Sequence, residues 1–122
     1  RCVIEPMRAV EHGDATYDGE NGADYILFTR GILPDYYITR EEAIALDWKS
    51  SKPLSKYAPG KMLFGGIYYN TEGRLPFAPG RVWFEADINY YSGKRNGHRV
   101  MFSNDGLIFV TYDHCITFYE IV

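Results

Sequence analysis

Long apolar runs are missing from this chain. No stretch approaches the ~20 consecutive apolar residues of a membrane span, so no transmembrane helix is expected. Cysteine is scarce. Cys2 and Cys115 stand near opposite ends and no CxxC pair occurs, which argues against a zinc site. The two either pair, tying the N-terminus to the last strand, or stay reduced; an oxidising compartment favours pairing. The three histidines, His12, His98 and His114, are scattered, without HExxH or His-x-His spacing, so no metal site is expected. A GxSxG elbow and a P-loop are absent, which argues against that serine-hydrolase chemistry and against P-loop nucleotide hydrolysis. Positive charge is not in excess. Thirteen Lys and Arg against 16 Asp and Glu give −3, which argues against a general polyanion binder.

What is present is an ordinary globular composition in a length suited to one domain: 122 residues, 46% apolar and 24% charged. A chain of this length can bury a sufficient core unaided. Eleven tyrosines suit half-buried sheets and base-stacking surfaces equally. Charge is uneven along the chain. Residues 1–48 carry 4 basic and 10 acidic groups, a net of 4 − 10 = −6; residues 49–122 carry 9 and 6, a net of 9 − 6 = +3. A local positive field in the second half can attract a phosphate even on an acidic protein.

Residues 1–20 show weak periodicity and are expected as an irregular lead-in to a single domain spanning 21–122. The chain opens on Arg1, which fits a mature or excised domain of a longer precursor. Asn21 is placed to cap a helix through Ala23, Tyr25, Ile26 and Phe28, with Gly31 past its end and Pro34 blocking continuation. Thr39-Arg-Glu-Glu42 is a capping box opening a second helix over Ala43–Leu46. Leu54–Tyr57 suggests a third helical turn. Beyond residue 61 the texture turns to strand. Val82, Phe84, Ala86, Ile88 and Tyr90 alternate with Trp83, Glu85, Asp87 and Asn89, placing Glu85 and Asp87 together on an open face. Asn104-Asp105-Gly106 marks a hairpin, and Asp113-His114 a tight turn between the last two strands. Helices first and an antiparallel meander afterwards make an α+β fold.

Sequential strands of a meander lie side by side, so Glu85, Arg99 and His114 can converge on one face. With Arg95 they form a set of one carboxylate, two guanidiniums and one imidazole. That set suffices for RNA cleavage without a metal: a base for the 2′-hydroxyl, cations for phosphoryl charge and an acid for the leaving oxygen. Taken singly, each residue has a blander reading. A strand glutamate is usually solvated, a strand arginine usually pairs with a carboxylate, and a turn histidine usually lies on the surface.

The runs Leu33-Pro-Asp-Tyr-Tyr-Ile-Thr39, Ala58-Pro-Gly-Lys61, Glu72-Gly73, Leu75-Pro76, Glu85-Ala-Asp-Ile-Asn-Tyr90, Ser92-Gly93, Arg95-Asn96, Asp113-His114 and Thr117-Phe118 follow in one order. Over about Ala23 to Val122 the chain resembles the barnase-type bacterial guanyl-specific ribonucleases. The resemblance implies a barnase-like fold, no cofactor and single-stranded RNA as substrate. It sets Glu85 on the family's general base, His114 on its general acid, and Arg95 and Arg99 on its phosphate-binding arginines. Arg40 stands where the family has a lysine that contacts phosphate. Glu72 falls on the carboxylate that reads guanine, Tyr69, Asn70 and Thr71 on the loop whose backbone does so, and Tyr68 on a stacking ring. Lys94 stands in place of an aromatic beside Arg95, Cys115 in place of a tyrosine beside the base site, Thr71 in place of an arginine, and Gly66 in place of an acidic residue. These departures touch base recognition more than chemistry. The resemblance further implies a secreted monomer, or a toxic domain delivered into a target cell, held in check by an acidic barstar-like inhibitor. The competing reading is an inactive ribonuclease-like module that binds RNA or protein.

Overall fold

The computed structural model describes residues 8–122. Seven strands form one sheet: β1 (Ala9–Val10), β2 (Tyr37–Thr39), β3 (Met62–Tyr68), β4 (Trp83–Asp87), β5 (Arg99–Ser103), β6 (Ile108–Thr111) and β7 (Tyr119–Ile121), in the order β1-β7-β6-β5-β4-β3-β2. The five strands β3 to β7 are antiparallel, as a meander requires, and the two edges are closed by parallel pairs, β1 on β7 and β2 on β3. Two helices, α1 (Ala23–Arg30) and α2 (Arg40–Ala45), precede the meander, so the fold is α+β as expected.

The capping box of the second helix forms as its sequence dictates. Thr39 Oγ1 accepts from Glu42 N at 3.1 Å while Glu42 Oε1 accepts from Thr39 N at 2.9 Å. The first helix differs from expectation. Its N-cap is Gly22, not Asn21, because Asn21 closes a short 3-10 turn over Gly19–Asn21; position 22 must be glycine, since a Cβ there would lie 2.0 Å from Thr16 Oγ1. The crowding comes from Asp24, fully buried, which accepts from Gly13 N, Ala15 N and Thr16 Oγ1. That network gives residues 13–16 their shape. Together with strand β1, it draws much of the segment expected to be irregular onto the domain.

The core divides between the two faces of the sheet. On one, Ala86, Ile88, Val100 and Val110 pack with Ala23 and Leu27 of α1. On the other, Trp83, Met101, Phe109 and Phe118 pack with Leu75. Both faces of β4 are therefore covered over much of their length. The alternation read as apolar against open is really two buried faces, with Trp83 and Asp87 as deep as Ala86. A third cluster joins Ala43 and Trp48 to Leu54, Leu63 and Tyr90, seating α2 against the sheet edge.

Candidate active site

Glu85, Asp87, Met101 and Arg99 share one face, since Glu85 pairs with Met101 and Asp87 with Arg99 across β4 and β5. Asp87 is 2% exposed. A buried carboxylate needs cationic or donor partners, and two arginines supply them. Arg95 grips it bidentately, Nε to Oδ2 and Nη2 to Oδ1, both at 2.8 Å. Arg99 Nε lies 3.2 Å from Oδ1. Arg99 Nη1 also donates to the carbonyls of Asn96 and His98, each at 2.7 Å. Two guanidiniums are thus fixed side by side on one anion. The Asp87 carboxylate pushes the Arg95 pKa up, whereas burial, partly opposed by Asp87, pulls that of Arg99 down. Both stay cationic.

Two glycines make room for Glu85 and His114. Strand β3 carries a register shift between Phe64 and Gly66 opposite Ala86 and Glu85. A Cβ on Gly65 would lie 3.1 Å from Glu85 Cγ and Oε1. Glu85 is half-buried against this bare backbone. Gly97 does the same for His114: a Cβ there would stand 3.2 Å from His114 N, which donates to Gly97 O at 3.0 Å. The expected tight turn at Asp113-His114 is instead an open loop over 112–118. His114 and Cys115 both adopt positive φ, 59° and 69°. Asp113 organises that loop by accepting from Thr111 Oγ1, Ile116 N and Thr117 N. The donated hydrogen bonds, that of Thr117 N foremost, hold its carboxyl down at about 2.

A cleft of about 640 Å³ gathers Lys94, Arg95, Arg99 and His114 with the Ser50–Pro53 segment opposite. Glu85 lies outside that lining, but its charge acts on Arg95, Arg99, Cys115 and Tyr68. Those four sequence-expected residues of the cleft are brought together. Cys115 is half-buried, and desolvation, then Glu85, raises its thiol pKa. Cys2, expected either to pair with it or to stay reduced, lies outside the described residues. Arg40 follows Thr39, which pairs with Phe64 one residue before the Glu85 glycine. Its guanidinium forms no ion pair among the described residues.

The loop after β3 is held by its own side chains. Asn70, at φ 49°, donates from Nδ2 to Leu75 O at 3.0 Å and accepts from Leu75 N at 3.1 Å. Tyr69, Thr71 and Glu72 project to solvent around it, and Tyr68 is half-buried. Glu72 is held at 3.0 Å by Arg74, whose Nη1 donates to Ile116 O at 2.9 Å. That pair links the Glu72 loop to the His114 loop. Arg74 escaped sequence reasoning, as did the anchoring role of Asp87. The signal for Asp87 was present: strand pairing sets it opposite an arginine.

A family model described as ribonuclease matches residues 20–122. A ribonuclease from Heyndrickxia coagulans is 51% identical over 107 residues, covering 87% of this chain and 95% of that protein. Ribonucleases from Bacillus intermedius and Bacillus pumilus are also 51% identical over 107 residues, and this chain spans 64% of their length. The solved structure of ribonuclease Sa2 with guanosine-2'-cyclophosphate is a loose likeness, at TM-score 0.44 and 21% identity over 70% of this chain and 94% of that one. The chain belongs to the ribonuclease family. Its enzymatic class is that of an RNA-cleaving enzyme of the microbial kind.

Proposed function

We propose that the domain over 21–122 is an endoribonuclease that cuts single-stranded RNA after guanosine and leaves a 2′,3′-cyclic phosphate. The observation that carries this reading is the double grip of Arg95 and Arg99 on buried Asp87, beside Glu85 and in one cleft with His114. Two fixed cations so close to a base and an acid suit a phosphodiester, whose charge grows during attack.

Glu85 takes the proton of the ribose 2′-hydroxyl, and the 2′-oxygen bonds to phosphorus. Arg95, Arg99 and Arg40 neutralise the phosphoryl oxygens. The P–O5′ bond breaks as protonated His114 gives its proton to the departing oxygen. Hydrolysis of the cyclic ester reverses the roles: His114 takes a proton from water and Glu85 returns one to the 2′-oxygen. Lys94, exposed at the cleft rim, draws in the neighbouring phosphate. Glu72 accepts from the guanine edge once it leaves Arg74, the backbone of Tyr69, Asn70 and Thr71 completes that contact, and Tyr68 and Cys115 flank the base.

The enzyme acts as a secreted monomer or as the toxic domain of a delivered protein. An acidic inhibitor of the barstar kind would cover the cationic cleft, and charge attraction would speed its capture. The reaction needs one group ionised and one protonated, so kcat/KM traces a bell against pH. It is measured on a guanosine-containing dinucleotide in EDTA. A bell with full activity in EDTA is expected; activity lost on chelation and restored by zinc would overturn the mechanism.

A further inference from the structure

Beside the Glu72 loop lies a second, apolar recess of about 430 Å³, which shares Tyr68, Tyr69 and Asn70 with that loop but whose far side, from Phe77 to Trp83, takes no part in the reaction above. Tyr69 and Phe77 stand at its mouth, 79% and 82% exposed, with Ile67 and Val82 along its wall. Rings this exposed on wandering loops would mean little, but both ride on fixed backbone. The carbonyl before Phe77, that of Pro76, accepts from Trp83 Nε1 at 3.3 Å and Arg81 Nη1 at 3.1 Å. Tyr69 adjoins Asn70, whose amide is clamped to Leu75 by two hydrogen bonds. The cation of the recess, Arg81, is bound to Asp105 at 2.8 Å, so the recess offers rings and no free charge.

We propose that this recess is a base subsite: it receives the nucleobase on the 5′ side of the guanosine, stacked against Phe77 and Tyr69. The occupant follows from continuity and chemistry. The same loop, residues 68–70, lines the recess and belongs to the base-reading loop, while the scissile phosphate, on the 3′ side of the guanosine, is assigned to the His114 cleft, which shares no residue with the recess; the 5′ side is the one left to meet it. Paired Arg81 makes a poor phosphate site, whereas flat rings suit any base, without sequence preference. The pinned backbones remove much of the ordering cost of binding. The inference rests on the guanosine reading of the Glu72 loop.

The test compares GpA, ApGpA and the same trinucleotide with an abasic 5′ residue, for wild type and Phe77→Ala. Affinity for the uncleavable 2′-deoxy forms is measured alongside. Wild type should favour ApGpA over the abasic form roughly fivefold or more, the scale of one base–aromatic stack. Phe77→Ala should bring that ratio near one and leave GpA cleavage unchanged, and Phe77→Trp should keep it. An equal ratio in wild type and Phe77→Ala, in both turnover and affinity, overturns the subsite. Failure to cleave GpA would instead count against the catalytic reading, while the deoxy affinities still decide the subsite.

Discussion

Glu85 and Asp87 stand two residues apart on one face of β4 and do opposite work. The Glu85 carboxylate meets a glycine backbone and forms no hydrogen bond among the described residues; Asp87 is enclosed by two arginines. Removing one partner of a buried ion pair leaves the other charge unpaired, at a cost of about 3 kcal/mol or more. Asp87→Asn should therefore lower unfolding free energy by about that amount in urea, and Glu85→Ala by far less. Equal losses would mean that Glu85 is structural.

His98 gives a second test at this scale. It sits between the rings of Tyr17 and Tyr112, with its Nδ1 3.0 Å from Asn89 Nδ2, and its carbonyl holds Arg99. Burial first, then the Arg99 charge, lowers its pKa below 6.5. The folded state thus binds this proton less readily than the unfolded state. The contribution is whole above 6.5 and is lost as pH falls from there through the lowered folded value. His98→Gln should flatten stability against pH over that window. An unchanged slope in urea titrations would count against the burial of this ring.

At the scale of elements, local signals were legible and long-range ones were not. The Thr39 capping box and the Asn104-Asp105-Gly106 hairpin are set within a few residues, and both form. The edge strands β1 and β2 escaped because two or three residues carry no usable period, and parallel pairing draws on distant partners. The tight turn expected at Asp113-His114 gives way to an open loop because Asp113 recruits donors from three further residues. Such loops make glycines decisive. Gly97→Ala would press a Cβ on His114 N at 3.2 Å, where the Gly97 carbonyl hydrogen bond leaves no slack. Misplacing an acid by a fraction of an ångström is costly, so kcat should fall roughly tenfold or more with KM little changed. An unaltered kcat would show that the Gly97 contact does not set the position of His114.

For the whole molecule, the −3 net charge conceals a basic cleft inside an acidic protein. The α+β class followed from the segregation of helices and strands, and strand order set Glu85, Arg99 and His114 on neighbouring strands or their ends; Arg95 lies on the loop between β4 and β5, outside that argument. Burial of Asp87 was not, because period-two alternation separates the faces of a sheet without saying which are covered. The supporting residues Arg74, Asn96 and Gly97 serve the site through contacts that no local pattern records.

The most direct measurement is product analysis of GpA, ApA, CpA and UpA cleavage in EDTA, by wild type and by Glu85→Ala. The predicted result is a 2′,3′-cyclic guanosine phosphate from GpA, formed much faster than the products of the other three, and absent with Glu85→Ala. Equal cleavage of all four would contradict guanine reading by Glu72. Undiminished cleavage by a folded Glu85→Ala protein would contradict the central claim that Glu85 is the base.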